Sequence, residues 1–249
     1  MLKHLLKSGK KWIVSQSKLW FYSAPKLPVG THFPLFTSHR LKFDIKMVFD
    51  VGANQGHFSK QLHQYHPKTE FYCFEPFPGT FDKLKGNLLK SNFHHFQLAL
   101  GDKEETIWVS QNQENQSDTN SLTHSNDSKN ELNKISIQVN TLDKFIEEHT
   151  IESIDLLKID TEGFDLKVLK GSEKSLTKGL IKLIYVECGL DPINTYHVFF
   201  PEILSYLNSL DYVFVGFFQT DIRKINRKIH FSNALFVHDS VSNQIKTFL

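Results

Sequence analysis

At 249 residues with 40% hydrophobic content, the chain can fill one sizeable core, and one domain preceded by an arm is the simplest organisation. A formal net charge of +2 gives no field that points to nucleic acid. Cys73 and Cys188 both fall in apolar runs, as expected of buried reduced thiols in a cytoplasmic protein, and no apolar run reaches the ~18–20 residues that span a bilayer.

Residues 1–21 interleave Lys3, Lys7, Lys10, Lys11 and Lys18 with Leu5, Leu6, Trp12, Ile13, Leu19, Trp20 and Phe21. These lysines interrupt the apolar centre that a secretory signal would need. Two readings stand: a helix packing its apolar stripe on the domain, or a basic amphipathic segment in peripheral contact with an acidic membrane surface or a partner. Pro25, Pro28, Gly30 and Pro34 then break the pattern, so arm and connector together occupy 1–45 and the domain 46–249.

From Met47 the chain alternates. Apolar runs at 47–51, 70–74, 94–99, 154–159, 182–188, 212–218 and 233–237 predict strands. Between them lie helical stripes: Phe58, Leu62 and Tyr65; Phe81, Leu84 and Leu88; Leu169, Ser172 and Leu176; and Phe199, Ile203, Leu207 and Leu210. Pro201 is accommodated in the first turn of the last. Repeated strand–helix–strand order predicts an α/β fold, an open and mostly parallel sheet with helices on both faces. The runs 212–218 and 233–237 are joined too closely for a crossover helix and read as an antiparallel pair. Residues 106–109 and 135–139 also alternate like strands and flank a polar insert, 110–134, which is either a surface loop or a substrate lid.

The first run enters a glycine turn, Val51-Gly-Ala-Asn-Gln-Gly56, and the second ends in Glu75, 19 residues after Gly56. This is the layout of a nucleotide-binding βαβ unit, in which glycine admits close backbone approach and the acid grips ribose hydroxyls. Only Gly52 and Gly56 are present, with Asn54 between them, so the dinucleotide spacing is missing and S-adenosylmethionine is favoured over NAD. A carboxylate such as Glu75 accepts two hydroxyl bonds in forked geometry, which suits a ribose diol.

Further motifs follow in order: Phe74-Glu-Pro76, Leu98-Ala-Leu-Gly-Asp102, Val139-Asn-Thr-Leu-Asp143, Ile154-Asp-Leu-Leu-Lys-Ile-Asp-Thr-Glu-Gly163, Val168-Leu-Lys-Gly171 and Tyr185-Val-Glu187. With the glycine turn they make the chain resemble the FkbM-type family of S-adenosylmethionine-dependent methyltransferases over roughly residues 47 to 218. Two departures are Phe164-Asp165 after Gly163 and the long insert. The resemblance implies a class I methyltransferase fold, Rossmann-like, with seven strands and an antiparallel terminal hairpin. It also places the ligand at the switch point between the first and fourth strands, so that Asp50 to Gly56, Glu75 and Asp160 to Glu162 converge.

On that basis Gly52 and Gly56 line the methionine end of the cofactor, where a Cβ would crowd it, or simply make a tight turn. Asp50 orients the turn, through water to the cofactor's amino group or as a structural hydrogen bond only. Asn54 bonds backbone groups or the cofactor carboxylate. Ala99, Leu100 and Asp102 surround the adenine, with Asp102 as an acceptor for its amino group. Asp160 and Glu162 are the expected general base or cofactor-positioning pair, Glu187 is a second candidate base, and Asp160 as a helix cap is the structural alternative. No metal is expected, because no His lies in 155–165 and two carboxylates alone make a thin ligand set. His124, in the insert, and His197, after Glu187, could reach substrate, but a solvated side chain is the preferred reading for each.

The resulting expectation is O-methylation of a small polar acceptor such as a sugar or glycan precursor, oxygen being implied by the resemblance alone. Two rivals are a nicotinamide-dependent oxidoreductase, which would need a third glycine and a Tyr-Lys pair, and a non-catalytic scaffold, which would be expected to lose the motif acids.

Overall fold

The computed structural model describes residues 29–41, 43–110, 134–194, 196–222 and 229–242. The arm at 1–21, almost all of the polar insert, and His124 lie outside the described residues.

The strands β1 (Met47–Val51), β2 (Glu70–Phe74) and β3 (Phe93–Phe96) form one wing of a seven-stranded sheet. On the other side of β1 lie β7 (Ile154–Ile159), β8 (Ile181–Gly189), β10 (Ile229–His238) and β9 (Tyr212–Ile222), giving the order β3-β2-β1-β7-β8-β10-β9. All pairs from β3 to β8 are parallel, and β10 runs antiparallel to both β8 and β9. This is the class I methyltransferase order implied by the resemblance, with the hairpin folded so that its second strand, not its first, meets β8.

Each central strand is apolar on both faces because helices cover both. Val48 and Leu156 point into one core with Phe71, Leu183 and Tyr185, whereas Phe49 and Leu157 point into the other with Phe145, Val168 and Leu207. The first core is closed by α2 (His57–Tyr65) and α3 (Pro78–Asn87), and the second by α4 (Leu142–Glu148), α5 (Asp165–Lys170), α6 (Glu173–Thr177) and α7 (Phe200–Asn208). Leu62, Leu84, Leu88, Ile203 and Leu207 are buried as their stripes require, although Tyr65 stays exposed at the end of α2.

Four sequence expectations need adjusting. The stripe Leu169, Ser172 and Leu176 is buried but spans two helices, broken where Gly171 presses on the chain at Gly101. A Cβ on Gly171 would lie 1.8 Å from the Gly101 carbonyl oxygen. The run 94–99 also divides: β3 stays in the main sheet, while β4 (Ala99–Leu100) pairs with β6 (Lys134–Asn140), which pairs in turn with β5 (Glu105–Ser110) in a second, three-stranded sheet. Phe33, Phe36, Leu41 and Ile45, expected in a connector, are buried in the core. Phe33 and Phe36 in α1 (Phe33–Phe36) are buried against Tyr185 and Phe218, with ring centroids 3.9 Å apart for Phe33 and Tyr185. Burying four large apolar side chains (Phe33, Phe36, Leu41, Ile45) stabilises this attachment by several kcal/mol, at about 1.5–3 kcal/mol each. Finally α4, unread in the sequence, is capped by Thr141, whose hydroxyl accepts the Lys144 N–H at 3.2 Å. Cys73 and Cys188 are free and buried, and among the described residues no helix is long and apolar enough to cross a membrane.

Candidate active site

A cleft opens at the carboxyl ends of β1, β2, β7 and β8, the switch point of the sheet. Its floor is the glycine turn. The N–H groups of Gly52 and Ala53 both donate to the Phe74 carbonyl, at 3.0 and 2.9 Å, which ties the end of β1 to the end of β2. On the other side the Asp160 N–H donates to the Val51 carbonyl at 3.1 Å. Gly52 sits at φ +72°, and a Cβ there would lie 1.8 Å from the Asp160 carbonyl oxygen. The glycine is therefore demanded first by the approach of two strand ends, although Gly52 also lines the cleft. Gly56 precedes α2 at φ +82°, and its missing Cβ faces Leu84 of α3 and Leu88 just beyond it, so packing accounts for it and it is not a lining residue.

Glu75 forms one wall. It is only 5% exposed, its Oε2 accepts the Asn54 N–H and its Oε1 the Phe77 N–H, each at 3.0 Å. Burial pushes its pKa up to about 7 in spite of those bonds. Each oxygen keeps a lone pair for a further donor. Phe77, Leu98, Ala99 and Leu100 continue this wall as an apolar face. Asp102 is not part of it: it is exposed and borders a separate groove with Thr141, Lys170 and Gly171. The crossing of Gly101 and Gly171 precedes Asp102, which therefore lies outside the lining of the cleft.

Opposite stands an acidic wall of Asp160, Thr161, Glu162 and Glu187. Beneath it lies Lys158, its side chain 5% exposed, with Nζ 3.1 Å from Asp50 Oδ1, 3.3 Å from Asp160 Oδ2 and 2.9 Å from the Gly52 carbonyl. Burial opposes the Lys158 charge, but Asp160 and Asp50 outweigh it and its pKa is raised. Burial would likewise raise Asp160, but Lys158 wins and holds it below the usual carboxylate range. Asp50 is wholly buried, accepts the Ser59 hydroxyl at 2.7 Å and does not line the cleft. Its contacts are with Ser59 and Lys158, which tie it to α2 and β7.

Burial and the neighbouring Asp160 push Glu187 far up, and the two share a hydrogen bond. Glu162, at φ +51° in the turn after β7, is pushed up to about 7, by burial first and Asp160 second. That turn is held by Asp165, which accepts the Thr161 N–H and hydroxyl, both at 3.0 Å, and the Gly163 N–H at 3.1 Å. Asp165, not Asp160, is thus the acid that secures the start of α5.

His197 is the clearest departure from the sequence reading. Instead of being solvated, its side chain is 8% exposed, with Nε2 3.0 Å from Glu187 and 3.9 Å from Glu162. Asn194 aims it. The amide Nδ2 donates to the His230 carbonyl at 3.1 Å while Oδ1 accepts the Tyr196 N–H at 2.9 Å, leaving His197 Nδ1 beside the amide. Lys158 carried a readable signal, a lone base inside an apolar run, although its register with Asp50 emerges only in the sheet. Nothing in the spacing of His197 announced its position.

A doubly wound sheet whose cleft pairs a buried carboxylate and an apolar face with an acidic wall has the layout of a nucleoside-cofactor methyltransferase. The chain belongs to the FkbM methyltransferase family: residues 50–214 match the methyltransferase FkbM domain, and S-adenosylmethionine is accordingly its cofactor. It is 28% identical over 153 residues to the 2-O-methyltransferase NoeI of Sinorhizobium fredii, covering 57% of this chain and 62% of that protein. It is 26% identical over 148 residues to the hexuronic acid methyltransferase AglP of Haloferax volcanii, covering 59% and 58%. The matches thus span about three fifths of these relatives. Among solved structures, a TehB-like methyltransferase from Corynebacterium glutamicum aligns over 96% of this chain and 100% of its own, at 11% identity and a TM-score of 0.43.

The residues present fit the cofactor. A buried carboxylate with free lone pairs suits a ribose diol, and Phe77, Leu98, Ala99 and Leu100 suit a flat purine. Gly52 and Asn54 lie on the floor between the two walls, where the methionine portion would run.

Proposed function

We propose that this chain transfers a methyl group to a hydroxyl of a small, hydroxyl-rich acceptor such as a sugar or glycan precursor. The observation that carries the reading is that Glu75 and the acidic wall of Asp160, Glu162 and Glu187 face each other across one cleft. S-adenosylmethionine, when bound, supplies a methyl group made electrophilic by its sulfonium. The acceptor oxygen gains that methyl carbon, the carbon–sulfur electron pair stays on sulfur, and the hydroxyl proton must leave.

Asp160 is placed to receive it. It reaches the cleft, is ion-paired with Lys158 and hydrogen-bonded to Glu187. A positioned carboxylate contributes roughly 10²–10⁴-fold as a general base. Glu162 and Thr161 offer acceptors to other hydroxyls of the substrate, the Thr161 hydroxyl proton being already given to Asp165. The names of two relatives, a 2-O-methyltransferase and a hexuronic acid methyltransferase, support oxygen and a sugar-like acceptor.

The test is a methyl-transfer assay with radiolabelled donor over neutral pyranoses, uronic acids, amines and thiols. Labelled ether products from neutral sugars are expected, with Asp160→Asn cutting turnover at least a hundredfold and cofactor affinity under threefold. Labelling of amines or thiols alone, or undiminished turnover by Asp160→Asn, would overturn the assignment.

A further inference from the structure

Glu162, Glu187 and His197 come from three separate segments, and one donor atom from each lies within 4.8 Å of the others. They come from the turn after β7, the carboxyl end of β8 and the loop that follows it. The loop is folded back by the Gly189 N–H donating to the Val198 carbonyl at 2.8 Å, which brings His197 over Glu187. We propose that this trio is a divalent-cation site on the acidic wall of the cleft.

The geometry is close to that of a filled site. His197 Nε2 stands 3.0 Å from Glu187 Oε2 and 3.9 Å from Glu162 Oε2. Ligand bonds of ~2.1 Å place neighbouring donor atoms ~3.0 to 3.4 Å apart, depending on whether the ion is octahedral or tetrahedral. The His197–Glu187 edge already has that length, and the partly exposed Glu162 side chain has to swing in to shorten its two edges, 3.9 Å to His197 and no more than 4.8 Å to Glu187. The outer contacts also match those of a ligating imidazole. The ring stacks on Phe231 with centroids 4.8 Å apart, and its second nitrogen lies beside the Asn194 amide, Nδ2 at 2.9 Å and Oδ1 at 3.3 Å; binding an ion through Nε2 requires Nδ1 to carry the proton and donate it to Oδ1, the acceptor of that amide. Partners of this kind fix the ring plane and tautomer of metal-bound histidines.

Donor chemistry selects the ion. One imidazole with two carboxylates is too nitrogen-bearing for Ca²⁺ or Mg²⁺, which take oxygen, and suits Mn²⁺ or Zn²⁺. Three protein ligands leave positions open, and Glu162 and Glu187 line the cleft, so the open side faces the acceptor. The role of the ion, though not its binding, rests on the proposed methyl transfer: a hydroxyl entering the open position loses its proton more readily, with Asp160 beside it to receive that proton.

The experiment is titration of the full chain with Mn²⁺, followed by electron paramagnetic resonance of the free ion and by thermal unfolding. One tight Mn²⁺ per chain and a rise in Tm are expected. His197→Gln and Glu187→Gln should each weaken binding at least tenfold and abolish the Tm rise, while far-ultraviolet circular dichroism stays native. Should either variant misfold, Glu162→Gln on the more exposed ligand provides the same readout. No Mn²⁺ or Zn²⁺ bound by the native chain, with or without S-adenosylhomocysteine, would overturn the site, as would unchanged Mn²⁺ affinity in folded His197→Gln and Glu187→Gln. Mn²⁺ bound through these residues in a protein that methylates no hydroxyl would uphold the site and overturn only the proposed reaction.

Discussion

Lys158 offers the sharpest test of how this site is held together. Its ammonium lies 3.1 Å from Asp50 and 3.3 Å from Asp160, and Asp50 is wholly buried, with the Ser59 hydroxyl as a further partner. Lys158→Met preserves the length and packing of the side chain but leaves the Asp50 charge uncompensated in the core. Removing one partner of a buried ion pair costs about 3–5 kcal/mol, which at about 2–4 °C per kcal/mol for a chain of this size lowers Tm by roughly 6–20 °C. Asp160, partly exposed, is relieved by water and adds little. Asp50→Asn in the Lys158→Met background removes the stranded charge and keeps the Ser59 partner, so the double variant should recover more than half of the loss. Urea and thermal unfolding of the four proteins measure the cycle directly. A loss below about 1 kcal/mol in Lys158→Met, or strictly additive losses in the double variant, would refute the buried-pair account.

Other consequences follow from particular contacts. Gly52→Ala forces a Cβ onto the Asp160 carbonyl at a left-handed backbone position and should cost at least about 2 kcal/mol in urea unfolding. Gly86, inside α3 with open space where a Cβ would stand, should by contrast gain about 0.5–1 kcal/mol as Ala. Glu75 has a pKa raised from 4.5 to about 7 in the free fold, so the folded chain holds a proton there that the unfolded chain has released; this contribution to stability is present below about pH 4.5 and lost as pH rises towards 7. Hydroxyl donors prefer the ionised form, so S-adenosylhomocysteine affinity should weaken by up to tenfold per unit below pH 7, and binding at pH 6.5 should release a proton, seen by calorimetry in buffers of different ionisation enthalpy. Glu75→Gln should abolish that release and lower affinity by about 1.5–3 kcal/mol.

The sheet was legible because buried parallel strands leave a strong trace. Val48, Phe49 and Val51, or Leu156, Leu157 and Ile159, are continuous apolar runs because both faces are covered. Glu75, Glu187 and Asp160 were legible for the same reason, as acids at the ends of such runs. What stayed hidden depends on register and loop path. The Asp50–Lys158 pairing requires knowing that β1 and β7 are neighbours. Gly52 was assigned to cofactor approach, whereas the Asp160 carbonyl already fills the space of its Cβ. No histidine lies near Asp160 in sequence, yet His197 arrives at the acidic wall through a loop shaped by Asn194 and backbone hydrogen bonds. Asp102 shared a motif with Ala99 and Leu100, but the crossing at Gly171 turns it away.

The central claim is that this cleft binds an adenosyl sulfonium cofactor between Glu75 and the acidic wall. Calorimetric titration of the purified chain with S-adenosylmethionine, S-adenosylhomocysteine and NADH tests it most directly. Micromolar binding of both adenosyl compounds with none for NADH is the predicted result. Binding of NADH, or of neither adenosyl compound with and without Mn²⁺ and a sugar acceptor, would contradict it.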